Sequence, residues 1–219
     1  MKNFILSLFF SFFPLTFADL GVDISIATSK ESFACLLNQG YTFVIIRAYC
    51  SYGAVDPNLV TNIQNAQSAG FQSIQVYMFP CFPCGNPQNQ VLELVEVITP
   101  YLEQVRDPIW IEATKYAWST NQQQNQNFLF SMGSSIRSLA ASTAGILTSQ
   151  TDWTNIVGSN WVGSGGFTLW SIQHDDVPEI NTDSYDFFID YYLKQYEGPM
   201  TICNTTVNFD TDAGATLIE

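Results

Sequence analysis

Charge is scarce in this 219-residue chain, and basic charge scarcer still: 12% of residues are charged, and Lys plus Arg number 7 against 20 Asp plus Glu. No basic run exists to track a phosphate backbone, which excludes an electrostatic nucleic-acid binder. Histidine occurs once, as His174, and Cys81-Phe82-Pro83-Cys84 is the single Cys-x-x-Cys, so ligands for a zinc site are too few. No metal or other cofactor is expected. Beyond the N-terminal segment no apolar stretch is long enough to span a bilayer. Disorder is excluded by the 47% hydrophobic and 15% aromatic content, which can fill the core of one domain.

Residues 1–18 read as a cleaved signal peptide: Lys2 supplies the positive start, Phe4–Phe17 is almost wholly apolar, and Ala18 is small enough for cleavage. The mature domain would then be Asp19–Glu219, one unit more negative than the −13 of the full chain, and secreted or lumenal. Five cysteines in that part, Cys35, Cys50, Cys81, Cys84 and Cys203, suit an oxidising compartment, with disulfides and one thiol left over. Asn204-Thr205-Thr206 is the only glycosylation sequon.

Periodicity predicts strands at Leu20–Ile26, Phe43–Cys50, Ser73–Pro80, Ile109–Ala113 and Gly145–Ser149. Helices are expected between them: from Ser29 to Gly40, from Pro57 to Gly70, over Gln88–Gln104, and over Gln122–Ser142. Asp107-Pro108 reads as a turn before the fourth strand. After a Gly/Ser-rich loop around Trp161 come strands at Thr168–Gln173, Leu193–Glu197 and Thr206–Asp210, with a weak helix near Tyr185–Tyr191. Five βα steps followed by strand-rich sequence predict an α/β fold, a single-domain, irregular, TIM-like parallel barrel.

In such a barrel the chemistry belongs at strand C-terminal ends. The residues there would be Asp23, Arg47, Tyr77, Glu112, Thr114, Trp170, His174 and Asn208 or Asp210. Aromatics and carboxyls in a concave mouth suit carbohydrate, since rings stack on sugar faces and glycosidic cleavage uses an acid and a base. Arg47 inside a strand calls for a carboxylate partner. His174, beside Asp175 and Asp176, suits a solvated position as well as a substrate contact. Trp110 and Trp170 can each be core rings, with Trp170 the better stacking candidate.

Gly21-Val22-Asp23-Ile24-Ser25, Ile46-Arg47-Ala48-Tyr49, Val76-Tyr77-Met78-Phe79-Pro80-Cys81, Leu169-Trp170 and Lys194-Gln195-Tyr196 resemble, in order and spacing, glycoside hydrolase family 25, and its invertebrate and protist lysozyme-like branch most. The resemblance runs from Asp19 to Asp210. It implies an irregular β/α barrel acting on bacterial cell-wall glycan, cutting between N-acetylmuramic acid and N-acetylglucosamine, in innate defence or digestion. It also implies catalytic roles for Asp23 and Glu112, and glycan contacts from Tyr77, Trp170, Thr114, Asn208 and Asp210. A monomer is expected, in a phagosomal, lysosomal or digestive compartment.

The chain departs from the family pattern at two strands. The family's fourth strand ends in Asp-x-Glu, the Glu being the general acid; here it reads Trp110-Ile111-Glu112-Ala113-Thr114-Lys115-Tyr116. Aligned without a gap from Trp110, Glu112 takes the Asp position and Thr114 the Glu position. Aligned from Tyr116, Glu112 takes the Glu position and Trp110 the Asp position. Either way one carboxyl of the pair is absent, which leaves a weakened muramidase or an inactive glycan binder on the same fold. In the last strand the family's Asp-x-Asn is reversed to Asn208-Phe209-Asp210, moving the carboxyl by one strand repeat, roughly 6.6 Å.

Closure of the barrel would set the first and last strands side by side, bringing Cys35 towards Cys203. Cys81 and Cys84 would pair with each other or draw on Cys50. The net charge further implies that approach to anionic walls is easiest in acid, near the sequence pI of 4.1.

Overall fold

Strands buried on both faces are the mark of a parallel sheet under helices, and Phe43–Cys50 is buried along all but one of its eight residues. The computed structural model describes residues 18–180, 188 and 190–212. Its elements are β1 (Leu20–Ile24), α1 (Lys30–Asn38), β2 (Phe43–Cys50), β3 (Ala54–Val55), α2 (Leu59–Ala69), β4 (Ser73–Met78), α3 (Pro87–Ile98), β5 (Val105–Glu112), α4 (Gln122–Leu139), β6 (Ala144–Thr148), α5 (Gln150–Val157), β7 (Thr168–Ile172), β8 (Tyr191–Ile202) and β9 (Thr205–Asp212). The order β1-β9-β8-β7-β6-β5-β4-β2, closed by the β1–β2 pairing, makes an eight-stranded barrel, with β3 as an extra strand on β2.

Helix starts follow from local capping. The side chains of Ser29, Asn121 and Ser149 accept from backbone N–H groups in the first turns of α1, α4 and α5. Gly70 ends α2 at φ 114°, a conformation that favours glycine. The cap at Ser149 starts α5, a helix that the periodicity of the sequence did not reveal.

Alternation along each strand builds two cores. Val22, Ile24, Val44, Ile46, Ala48, Val76, Ile109, Ile111, Ile146 and Leu169 face the helices. Phe43, Ile45, Tyr77, Trp110, Leu147, Trp170 and Leu193 fill the barrel interior. A β-carbon on Gly21 would collide with Phe43, and one on Gly145 with Trp110, so two glycines make room for two large rings.

Two expectations need correction. Asp107-Pro108 lies within β5 rather than before it: the ladder to β4 pairs Val105 with Ile74 and Ile109 with Val76, so the dipeptide sits in a bulge between the two pairings. The barrel is not wholly parallel, because β9 runs antiparallel to both β8 and β1. A two-residue connection permits nothing else, and Cys203 and Asn204 have the positive φ values, 52° and 59°, of a tight hairpin turn. Of the weak helix expected at Tyr185–Tyr191, most lies outside the described residues, as does nearly all of the expected leader; Tyr191 opens β8.

Cys35 is bonded to Cys203 and Cys81 to Cys84, leaving Cys50 as a buried thiol. The first bridge ties α1 to the β8–β9 turn, as closure of the barrel implied. Asn204 is exposed in that turn.

Candidate active site at the barrel mouth

Asp23 sits one residue from the end of β1, pointing into the barrel and almost wholly buried. Three N–H bonds hold its carboxylate: Gln195 Nε2 donates to Oδ2 at 2.7 Å, and Asn208 Nδ2 donates to Oδ1 at 3.0 Å and to Oδ2 at 3.1 Å. Burial raises its pKa to about 6, against the pull of these donors.

Gln195 continues outward. Its amide nitrogen is committed to Asp23, so its oxygen faces His174 Nε2 at 2.9 Å, and the imidazole must be the donor there. The exposed His174 therefore stands at the outer end of a relay that ends on Asp23.

Glu112 is the last residue of β5 and is partly exposed at the mouth. Its Oε1 accepts from Thr114 Oγ1 at 2.7 Å. Burial, with a smaller push from the negative charge of Asp23, raises its pKa to about 7; Thr114 and Arg47 oppose the shift. Tyr77 belongs to the same neighbourhood: burial, and after it the charges of Asp23 and Glu112, push its phenol well above the usual range.

Arg47 has the partner its position required. Its Nε donates to Asp56 Oδ2 at 2.7 Å and its Nη2 to the Ser25 carbonyl at 2.7 Å, joining the loop after β1 to that before α2.

Three expected glycan contacts lie buried beneath the rim. Trp170 and Asp210 are both 0% exposed, and Trp170 Nε1 donates to Asp210 Oδ1 at 2.8 Å. Trp170 packs against the edges of Tyr77 and Trp110, and Trp110 donates to Gln75 Oε1 at 2.7 Å. Tyr77 is 5% exposed, also beneath the rim. The antiparallel course of β9 explains the depth of Asp210: Asn208 pairs with Asp23, and Asp210 with Gly21 one repeat further from the mouth.

The rim has its own aromatics, which periodicity did not single out. Tyr52, Phe79 and Tyr116 follow β2, β4 and β5; Tyr52 and Tyr116 are exposed, and Phe79 meets Tyr116 edge to face. Their place in the βα loops was the signal available. A concavity of about 670 Å³, lined by Ser73, Gln75, Val105, Arg106, Asp107 and Tyr192 among others, opens at the opposite end of the barrel, away from the carboxyl pair. Among the described residues no cluster of His, Cys, Asp and Glu is arranged to hold a metal ion.

A closed β/α barrel with two carboxyls at its mouth, one buried and one partly exposed, has the layout of a barrel glycosidase. The family model described as Lysozyme-like protein 1 matches residues 15–193. Probable GH family 25 lysozyme 5 of Dictyostelium discoideum is 35% identical over 212 residues, covering 94% of this chain and 97% of its own. The bacterial lysozyme from Streptomyces coelicolor superposes with a TM-score of 0.75 at 15% identity, over 92% of this chain and 94% of that one. A family GH25 lysozyme from Aspergillus fumigatus superposes at 0.74 and 15% identity, over 91% and 96%. The chain belongs to the lysozyme-like family within glycoside hydrolase family 25.

Proposed function

We propose that the protein is an exported muramidase-type glycoside hydrolase that cuts the glycan of bacterial peptidoglycan at the barrel mouth, using no metal or other cofactor. The observation that carries this is the pair of carboxyls at strand ends, Glu112 closing β5 and Asp23 near the end of β1 under three N–H donors, with burial raising the first to a pKa of about 7 and the second to about 6. Glu112 delivers its proton to the leaving glycosidic oxygen as the C–O bond breaks. Asp23, oriented by Gln195 and Asn208, stabilises the positive charge that develops on the sugar, and water completes the hydrolysis. Relatives named as GH family 25 lysozymes support the substrate class. Thr114, whose hydroxyl already points at Glu112, tunes the acid, and the exposed rings of Tyr52 and Tyr116 offer stacking faces for the polymer.

Residues 1–18 act in this proposal as a cleaved leader and 19–219 as the mature, monomeric barrel in a phagosomal, lysosomal or digestive compartment. The apolar leader sequence and two disulfides support export.

A second reading, a glycan binder without turnover, is favoured by one observation: in the ungapped alignment Thr114, which has no acidic proton near neutral pH, occupies the family's general-acid position. Reduction of digested peptidoglycan followed by amino-sugar analysis tests the first reading. N-acetylmuramic acid should become the new reducing end. Retention on the wall with no new ends would select the binder instead.

A further inference from the structure

Among the described residues two buried carboxyls take no part in the proposed reaction, and of these Asp56 is paired with Arg47 whereas Asp210 meets no cation. Its Oδ1 accepts from the Trp170 indole, while its Oδ2 has no donor and no access to water. Across the β1–β9 ladder Asp210 pairs with Gly21 and Asp23 with Asn208, so the two carboxyls are diagonal neighbours in the barrel interior, and Asp23 is itself served by three N–H bonds. Two adjacent carboxylates in a dry barrel, with no proton between them, would repel at close range.

Among the described residues, the basic side chains near the pair are engaged by other partners. Arg47 of β2 is engaged by Asp56 and the Ser25 carbonyl. Lys194 of β8 points away, to Asp175 and the carbonyls of Val177 and Glu179. Tyr77 of β4, Glu112 of β5 and Tyr196 of β8 are neutral or anionic, and His174 reaches Asp23 through Gln195.

We propose that Asp210 is held as a neutral carboxylic acid whose Oδ2 proton is donated to Asp23, making it a positioning residue for the anion at the mouth. The proton belongs to Asp210 because Asp23 has three N–H donors and the position nearer the mouth, whereas Asp210 has one donor and none on Oδ2. Burial and the charge of Asp23 push Asp210 well above the usual carboxyl range, in agreement. The functional content rests on the hydrolase reading: a hydrogen bond from Asp210 makes Asp23 less basic, so Asp23 ionises while Glu112 still carries its proton. The reversed order Asn208-Phe209-Asp210 thus leaves one negative charge at this point of the barrel, with an amide level with Asp23 and a neutral acid beneath it.

Infrared spectroscopy of the full chain decides the protonation state without any turnover, so it stands apart from failure of the hydrolase reading, which the glycan assay reports. At a pH well above 7, where Glu112 is ionised, the wild-type protein should show the C=O stretch of a protonated carboxyl. The band should shift on ¹³C labelling of aspartate and vanish in Asp210→Asn. Its absence from the wild type, or its survival in Asp210→Asn, would overturn the proposal. Thermal unfolding gives a second readout. A carboxyl whose folded pKa is raised contributes stability that is full below its unfolded value and lost as pH rises towards the folded one. Asparagine has no such loss, so the Tm of Asp210→Asn should gain on wild type steadily from pH 4 to pH 8. A uniform fall, or a chain that does not fold, would contradict it, because the amide matches the neutral acid in shape, accepts from Trp170 and donates to Asp23.

Discussion

Asn208 stands directly across the β1–β9 ladder from Asp23 and gives its amide to both carboxylate oxygens, at 3.0 and 3.1 Å. At Gly198, where φ is 133°, a β-carbon would collide with Asn208, so the strand beside it is shaped to leave this side chain its room. The amide orients Asp23 without adding a charge to it.

Asn208→Asp should therefore place a third carboxyl in the cluster and destabilise the fold by about 1–3 kcal/mol at neutral pH. Like charge raises the folded pKa values, so the loss should be small near pH 4 and grow as pH rises. The double exchange Asn208→Asp with Asp210→Asn, which restores the order that resemblance to family 25 implies, should recover most of the stability. Thermal unfolding of both variants at pH 4.5 and 7.5 checks this.

The two shifted carboxyls set a pH window. In the proposed reaction turnover requires Asp23 ionised, above about 6, and Glu112 protonated, below about 7, so activity should peak between these values. Net charge alone pointed to a more acidic optimum; burial of Glu112 moves turnover upward, while adsorption to anionic walls should still strengthen in acid, and at neutral pH with added salt. Thr114→Val removes a hydrogen bond that favours ionised Glu112, so the alkaline limb should move up. Initial rates on purified peptidoglycan across pH 4–9 provide the test.

Gln195→Leu deletes one of the donors to Asp23 and the link to His174, so Asp23 should ionise at higher pH and the acid limb should move up. His174→Ala leaves the direct donors in place and should move it less. The same pH series resolves the two.

Loop size separates the two disulfides. Cys35–Cys203 spans 168 residues and its loss, as the paired serine variant, should cost about 2–4 kcal/mol; Cys81–Cys84 spans three and should cost well under half of that. Chemical denaturation of the two double variants compares them.

Much of this architecture was legible in the sequence because it is written locally. The run Phe43–Cys50 and the Gly70 stop were matched closely, and the place of Asp23 near the end of the first strand put it at the barrel mouth. The direction of β9 was not legible, because a two-residue hairpin at Cys203-Asn204 carries no Gly and little turn signal. That one fact decides which of Asn208 and Asp210 meets Asp23. Gln195 was visible within Lys194-Gln195-Tyr196, yet its contact with Asp23 lies 172 residues away in the chain and depends on closure. The burial of Trp170 depends likewise on rings from four strands meeting in the interior.

The central claim, that Glu112 is the acid of a working hydrolase, meets its most direct test in kcat/KM for release of reducing ends from purified peptidoglycan, measured at about pH 6.5 for wild type and Glu112→Gln. The account predicts measurable release by the wild type and a loss of roughly 10²–10⁴-fold in the variant, with wall adsorption unchanged. Equal release by the two proteins, or none by either while both still adsorb, would contradict it.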